Sequence, residues 1–249
     1  MDIGTTNETR RGEHAADTSA DSRPVSYEFL IADDHPLYRE ALRDAVSRVC
    51  AGATIFEAGS IAALFELIEQ HERADLLLLD LNMPGAHGFG ALAHLRGVRP
   101  ELPVIMVSAM DDPRTVRHAV AFGAQGFVSK SADAATIGRS ILAALRGEVV
   151  LPGNLPPESA TLTDSGAREM ADRIAELTPQ QFRVLSMLCS GRLNKQIAFE
   201  LQISEATVKA HMTAVLRKLG AANRTQAVLL AGRLAVASSE MHAASEEAD

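Results

Sequence analysis

The chain has 249 residues, 47% of them hydrophobic and 22% charged, and its 32 acidic and 24 basic residues give a formal net charge of −8. These values are typical of a globular protein with room for two modest domains, and they exclude collagen-like and wholly disordered chains. No apolar stretch is long enough to cross a membrane, the polar N-terminus carries no secretory signal, and two cysteines cannot build a disulfide framework, so we expect a cytoplasmic protein.

After a polar tail over residues 1–26, which we expect to be disordered, five short aliphatic runs alternate with longer helical patterns up to residue 147. The strands are expected at Tyr27–Ala32, Ala53–Ala58, Leu76–Asp80, Pro103–Ser108 and Gly126–Val128. Helices are expected to begin near Asp34, Ser60, Gly88, Asp112 and Ser131. Five strands that alternate with five helices predict an α/β domain with a five-stranded, doubly wound parallel sheet, as in flavodoxin-like folds.

The remaining chain is predicted to be a linker over residues 148–176, an all-α domain over 177–236 and an acidic tail over 237–249. The linker is rich in proline and is expected to contain a short helix around Arg168–Ala175. Between Ala175 and Ala235 the chain has eight Lys or Arg and three Glu, although the chain as a whole is acidic. This asymmetry indicates two domains with different partners, and nucleic acid is the natural partner of the basic one.

Several polar residues fall at the predicted carboxyl ends of the strands, where ligands bind in open α/β sheets. They are Asp33, Asp34, Asp80, Ser108 and Lys130. Each has an ordinary explanation when taken alone, because an aspartate or a serine at such a point often caps a helix or opens a turn. Their coincidence at one edge of a single sheet favours a shared site.

Clustered carboxylates repel one another unless a hard cation such as Mg²⁺ neutralises them. One carboxylate can then attack a phosphoryl group, while a lysine and a hydroxyl stabilise the charge on the phosphoryl oxygens. We expect no histidine in this pocket as a general base. The set therefore predicts an aspartate that becomes phosphorylated, and not the active site of an enzyme that turns over a substrate.

The segments Asp33–Asp34, Asp80–Gly85 and Ser108–Ala109, with Lys130, resemble the receiver domain of bacterial two-component response regulators over roughly Tyr27–Gly147. The resemblance implies that Asp80 accepts phosphate from a sensor histidine kinase. It also implies a Mg²⁺ site with four ligand residues and a switch with three residues. The metal ligands would be Asp33, Asp34, Asp80 and the backbone carbonyl of Asn82. The switch residues would be Ser108, which turns toward the phosphoryl group, Phe127, which turns inward behind it, and Lys130, which pairs with it.

The basic segment has the pattern of four capped helices. Thr178, Pro179 and Gln181 form a capping box at the start of the first helix, Ser204 caps the third, and Asn223 with Gln226 forms a further capping box. A second helix and a basic third helix joined by a short turn fit a helix-turn-helix. Helical periodicity by itself also fits other small bundles.

The sequence of this segment is similar to the DNA-binding domain of LuxR-type transcription factors of the NarL and FixJ kind. The similarity lies in Leu177–Pro179, Asn194–Ala198, Ile203–His211, Leu216–Gly220 and Asn223–Thr225. It implies that Lys209, Ala210 and Thr213 read bases in the major groove. It also implies contacts to the DNA backbone from Asn194, Lys195, Thr207, Arg217 and Lys218. Gln181 and Arg183 depart from the family, in which glutamates are common at these positions.

The combined resemblance implies a non-enzymatic transcriptional regulator whose partners are a sensor histidine kinase, double-stranded DNA and RNA polymerase, with no membrane partner. It also implies a homodimer after phosphorylation, with the final helix as the dimer face. Because the two halves carry opposite charge, we expect the unphosphorylated receiver to pack against or crowd the basic DNA-binding face.

Two alternatives belong to other classes of protein. A phosphatase of the haloacid dehalogenase type would need a second aspartate where Asn82 stands, and a lactone-binding regulator would need an aromatic pocket that eight Phe and two Tyr scarcely supply. The remaining histidines lack metal-binding spacing and are expected to be isolated and solvated. They are His14, His71, His87, His94, His118 and His242.

Overall fold

The structure is a computed structural model that describes residues 26–85, 88–153 and 165–234. The two predicted tails lie outside these residues, apart from Ser26 at the edge of the first, and so do His14, His87 and His242. Among the described residues, no helix is both long enough and apolar enough to cross a membrane.

The N-terminal domain is built on a five-stranded parallel sheet in the order β2-β1-β3-β4-β5. The strands are β1 (Glu28–Ala32), β2 (Thr54–Ala58), β3 (Leu76–Asp80), β4 (Val104–Ser108) and β5 (Gly126–Ser129). The central strands β3 and β4 are buried along their whole length, as expected for a parallel sheet that is covered on both faces. The predicted fold class is confirmed for this domain.

Five helices cover the two faces of the sheet. They are α1 (Pro36–Val49), α2 (Ile61–Gln70), α3 (Gly90–Val98), α4 (Pro113–Ala121) and α5 (Ala134–Leu145). Their ends follow the local signals: Asp112 accepts the backbone N–H of Arg114 and Thr115 at 3.0 and 3.1 Å, and Gly123 and Gly147 take positive φ angles of 95° and 78° just after α4 and α5.

The chain stays with the sheet beyond the boundary predicted at Gly147. Val150 forms a parallel bridge with Gly126, and its carbonyl accepts the N–H of Phe127 at 2.9 Å. The helix predicted within the linker begins earlier than expected and is α6 (Ser165–Ala175).

The C-terminal domain is all-α, as predicted. Its helices are α7 (Pro179–Cys189), α8 (Asn194–Glu200), α9 (Glu205–Leu219) and α10 (Arg224–Ala231), followed by a short 3-10 turn over Gly232–Leu234. The capping box of Thr178 and Gln181 is present, and Ser204 accepts the N–H of Thr207 at 3.0 Å. At α10 the expected box is altered, because Gln226 accepts the N–H of Ala222 and not that of its capping residue.

The two domains share one hydrophobic core. Helix α6 lies so close to α3 that a Cβ atom at Gly97 would stand 2.0 Å from the carbonyl oxygen of Ala175. Phe182 of α7 inserts beside Phe65 of α2, with 5.1 Å between the ring centroids. The positive-φ turn at Gly85 also reaches α7, since a Cβ there would lie 3.5 Å from the Cβ atom of Ser186.

Candidate functional site

The ends of β1 and β3 place two carboxylates side by side in the interior of the N-terminal domain. Asp33 and Asp80 are 0% and 2% exposed, while Asp34 is half-buried at the rim. With His35, these residues can offer one ligand atom each within 4.8 Å of one another. The strand ends therefore bring the three predicted aspartates together.

Lys130 reaches the same point from the end of β5. Its ammonium lies 2.7 Å from Oδ2 of Asp33 and 3.1 Å from Oδ2 of Asp80. The backbone N–H of Lys130 donates to the carbonyl of Ser108 at 2.7 Å, which ties the ends of β4 and β5 together. In this arrangement the lysine neutralises part of the negative charge that burial would otherwise make costly.

Burial and the neighbouring charge of Asp33 raise the pKa of the Asp80 carboxyl above its usual value. Lys130 and the backbone N–H of Asn82, which donates to Oδ1 of Asp80 at 3.3 Å, act in the opposite direction. A second cation at this cluster would relieve the remaining repulsion between the carboxylates. The carboxylate oxygens of Asp33, Asp34 and Asp80 suit Mg²⁺, and receiver domains typically use such acidic pockets to hold it.

The two predicted switch residues on the strands are both buried. Ser108 is 0% exposed, and its Oγ accepts the N–H of Met110 at 3.0 Å, which leaves its own proton free to be donated. Phe127 is 1% exposed and packs in the core, so its side chain already has the inward orientation.

Two residues near the pocket were missed by the sequence analysis. The sequence analysis expects no histidine as a general base and does not place His35 in the pocket, but the Nδ1 atom of His35 lies 2.8 Å from Oδ1 of Asp34 and 3.2 Å from Oδ1 of Asp33. The cause is the extended backbone of His35, which precedes the proline at the start of α1 and turns the ring back onto the aspartates. Its place directly after the aspartate pair was the available signal.

The second missed residue is Tyr38, whose ring centroid lies 4.9 Å from the Nζ atom of Lys130. Burial, followed by the charges of Asp33 and Asp80, raises the pKa of the Tyr38 hydroxyl to about 12. Nothing in the sequence relates this tyrosine to a lysine that follows the last strand of the sheet.

The predicted DNA-binding residues form an exposed surface on α8 and α9. Lys209, Ala210 and Thr213 lie on one side of α9 and are exposed, and so are Lys195, Thr207 and Arg217. Asn194 is half-buried at the start of α8. The ammonium of Lys218 donates to the carbonyl of Glu176 at 2.7 Å, which places it at the end of α6.

The receiver contacts the C-terminal domain away from this surface. It meets α6 and α7, and leaves Lys209, Ala210 and Thr213 of α9 exposed. The expected packing against the basic DNA-binding face is therefore not seen. Arg183, one of the departures from the family pattern, has its Nη2 atom 3.6 Å from Oε1 of Glu69 on α2, so this departure makes an ion pair between the domains.

His94 corrects the expectation of isolated, solvated histidines. It is 0% exposed on α3 and stacks on Phe182 of α7, with 4.3 Å between the ring centroids and 7° between the planes. Burial lowers the pKa of the imidazole to about 4, although the nearby backbone of Ile174 opposes this. His71 is half-buried and also stacks on an aromatic ring.

A doubly wound domain with this acidic pocket, joined to a helix-turn-helix domain, defines a transcriptional response regulator. Comparison with known families agrees: residues 29–142 match the response regulator receiver domain, and residues 175–231 match the bacterial regulatory proteins of the luxR family. The chain is 42% identical to the glycerol metabolism activator of Pseudomonas putida, over 83% of this chain and 95% of that protein. It is 33% identical to the nitrate/nitrite response regulator NarP of Escherichia coli, over 82% of this chain and 94% of that protein.

The chain therefore belongs to the two-component response regulators that join a receiver domain to a LuxR-type DNA-binding domain. Similar solved structures include RcsB from Salmonella enterica serovar Typhimurium bound to a promoter. The two sequences are 21% identical, the TM-score is 0.47, and the match covers 83% of this chain and 98% of the RcsB chain. Another is ChrA, the response regulator of a heme-sensing two-component system. Its sequence is 27% identical, the TM-score is 0.41, and the match covers 83% of this chain and 96% of the ChrA chain.

Proposed function

We propose that Asp80 is the phosphoacceptor of this regulator and receives its phosphoryl group from a histidine of a sensor kinase. The observation that carries the proposal is the position of Asp80: it is buried at the end of the central strand, and Lys130 forms ion pairs with both Asp80 and Asp33. In the transfer, the P–N bond of the phosphohistidine breaks as a carboxylate oxygen of Asp80 bonds to phosphorus, and the leaving imidazole takes up a proton.

Asp33, Asp34, Asp80 and the backbone carbonyl of Asn82 would hold Mg²⁺ in this pocket. When bound, the ion supplies positive charge to the phosphoryl oxygens. The donor set supports this assignment, since Asp33, Asp34 and Asp80 can each offer a carboxylate oxygen within 4.8 Å of the others, and Asp33 and Asp80 are buried. Lys130 provides a second positive charge, and its ammonium already touches the phosphoacceptor.

Phosphorylation would change the partners of Ser108 and Lys130. The free proton of Ser108 can be donated to a phosphoryl oxygen, and the Lys130 ammonium can move from Asp33 to the same group. Each charge-assisted bond contributes roughly 1.5–3 kcal/mol. A shift in the ratio of active to inactive protein from 1:99 to 99:1 needs about 5.5 kcal/mol. Two such bonds provide this free energy only if each lies at the top of the range. We therefore infer that dimerisation supplies the remaining free energy, because a second DNA-binding domain binds an adjacent half-site at high effective concentration.

The DNA-binding roles come from the resemblance to LuxR-type DNA-binding domains. Lys209, Ala210 and Thr213 would read bases, and Asn194, Lys195, Thr207, Arg217 and Lys218 would contact phosphates. The exposure of the α9 residues and the net positive charge of this domain support these roles. The proposed active form is a cytoplasmic homodimer on double-stranded DNA that communicates with RNA polymerase.

The test of the phosphoacceptor is intact-protein mass spectrometry after incubation with acetyl phosphate and Mg²⁺. The wild type should gain the mass of one phosphoryl group, and Asp80→Asn should gain none. Asp112→Asn, which changes an aspartate outside the pocket, is the matched control and should label like the wild type. Labelling of Asp80→Asn at the wild-type level would disprove the assignment.

A further inference from the structure

We propose that Tyr38 is a positioning residue for the phosphorylation of Asp80, because its aromatic ring holds the ammonium of Lys130 at the place where the phosphoryl group arrives. This inference rests on the function proposed above. It assigns a role to a side chain of α1 that belongs to neither the carboxylate cluster nor the switch residues.

The geometry places the ammonium of Lys130 among three groups. Its Nζ atom is 2.7 Å from Asp33, 3.1 Å from Asp80 and 4.9 Å from the centre of the Tyr38 ring. A cation within about 6 Å of an aromatic ring centroid is attracted by the ring, and the attraction grows when water is excluded. The Lys130 side chain is only 17% exposed, so the contact lies in the favourable, desolvated regime.

The contact is useful because lysine is flexible. Its ammonium sits on four methylene groups, and an unrestrained side chain would sample positions away from the phosphoacceptor. The ring restricts that motion before the phosphodonor arrives, so less ordering remains to be done in the transition state. The carboxylates hold the ammonium less well during the reaction, because Asp80 becomes an acyl phosphate and the ammonium must then move from Asp33 to the phosphoryl group.

The ring and the hydroxyl of Tyr38 can be separated. The Tyr38 hydroxyl is buried and has no hydrogen-bond partner among the residues that the structure describes. It therefore holds nothing in place, and the ring is the group that acts on Lys130. Phenylalanine at this position should preserve the role, while leucine should abolish it.

The experiment compares the full-length wild type with Tyr38→Leu, Tyr38→Phe and Leu42→Ala. Leu42 is a buried residue of the same helix, and its truncation reports what a loosened α1 does without loss of the ring. The second-order rate constant for phosphorylation by acetyl phosphate with Mg²⁺ is measured by mass spectrometry. The affinity for beryllofluoride, a phosphoryl mimic that needs no turnover, is measured by calorimetry.

For Tyr38→Leu we expect about a tenfold fall in both the rate constant and the beryllofluoride affinity, which corresponds to ~1.4 kcal/mol. For Tyr38→Phe and Leu42→Ala we expect both quantities to stay within about twofold of the wild type. Wild-type behaviour of Tyr38→Leu would overturn the inference. An equal loss in Tyr38→Phe would assign the effect to the hydroxyl, and an equal loss in Leu42→Ala would assign it to packing, so either result also overturns it. Failure of the wild type itself to gain a phosphoryl group would instead refute the proposed function.

Discussion

The imidazole of His94 lies parallel to the ring of Phe182, with 4.3 Å between their centroids, and this stack joins α3 of the receiver to α7 of the DNA-binding domain. Phe65 closes the cluster from α2, at 4.9 Å from the imidazole. The three rings come from segments that are far apart in the chain. Four predictions follow from the packing between the domains and from the DNA-binding surface.

The first concerns the strength of the stack. His94→Leu and Phe182→Leu should each lower the free energy of unfolding, and the double variant should lose less than the sum of the two. Aromatic pairs of this kind contribute ~0.5–1.5 kcal/mol beyond the area that they bury, so we expect a coupling energy in that range. Urea denaturation of the four proteins measures it. Strictly additive losses would mean that the two rings do not interact.

The second concerns pH. The pKa of His94 is lowered from 6.5 to about 4 in the folded protein, so the unfolded chain takes up the proton first as the pH falls. The contribution of His94 to the stability of the folded form is therefore fully present above pH 6.5 and is lost progressively between pH 6.5 and about 4. At about pH 5 the loss should be on the order of 2 kcal/mol.

His94→Phe is the comparison for this pH effect, because it keeps an aromatic ring but cannot take up a proton. The free energy of unfolding of both proteins is measured from neutral pH downward. The carboxylates contribute equally to both, so the difference between the two free energies at each pH gives the contribution of the His94 imidazole. Parallel curves would show that His94 does not titrate differently in the folded and unfolded states.

The third prediction uses the close approach of α3 and α6. Gly97→Ala would place a Cβ atom 2.0 Å from the carbonyl oxygen of Ala175, a distance that forces the two helices apart. A glycine-to-alanine change inside a helix otherwise favours the helix by about 1 kcal/mol. We therefore expect a larger radius of gyration in small-angle X-ray scattering, without loss of helical content.

Gly90→Ala is the matched control for this experiment. Gly90 is on the same helix, and a Cβ atom there meets nothing within 4 Å. Its variant should be as compact as the wild type. If both variants scatter alike, the two helices do not pack in solution as closely as the structure shows.

The fourth prediction separates base reading from phosphate contact. Lys209→Ala should weaken binding to the operator more than binding to random duplex DNA, because a good base contact provides roughly 1–3 kcal/mol of discrimination. Lys218→Ala should weaken binding to both duplexes equally. It should also reduce the slope of log affinity against log salt concentration by about one, as expected for the loss of one phosphate contact. Fluorescence anisotropy at several salt concentrations measures both effects. Equal losses for Lys209→Ala on the two duplexes would contradict its role.

The sequence predicts the carboxylate cluster well because its side chains lie at the ends of strands. In a parallel sheet all carboxyl ends lie at one edge, so Asp33, Asp80 and Lys130 had to converge once the strands were placed. The helix ends could be predicted equally well from the sequence, because Thr178 and Ser204 accept hydrogen bonds from backbone groups only a few residues away. Local rules determine both kinds of feature.

The contacts between elements could not be predicted in this way. His94 and Phe182 each belong to an ordinary amphipathic helix, and periodicity gives the buried face of a helix without its neighbour. The same holds for Tyr38 above Lys130, where the partner is a side chain from the far end of the sheet. Such pairings depend on the docking of whole elements. The charge asymmetry of the two halves predicted packing against or crowding of the basic face, whereas the receiver packs against α6 and α7.

The turn at Gly85 brings the segment that follows Asp80 into contact with the DNA-binding domain. Gly85 follows Asp80 closely in the chain, and a Cβ atom there would lie 3.5 Å from Ser186 of α7 and 3.5 Å from Ser190, the C-cap of that helix. The receiver of this protein is therefore fitted to its own DNA-binding domain at the loop that follows Asp80. A chimera that joins this receiver to another regulator's DNA-binding domain would retain this contact only if the turn and α7 were transferred as a pair.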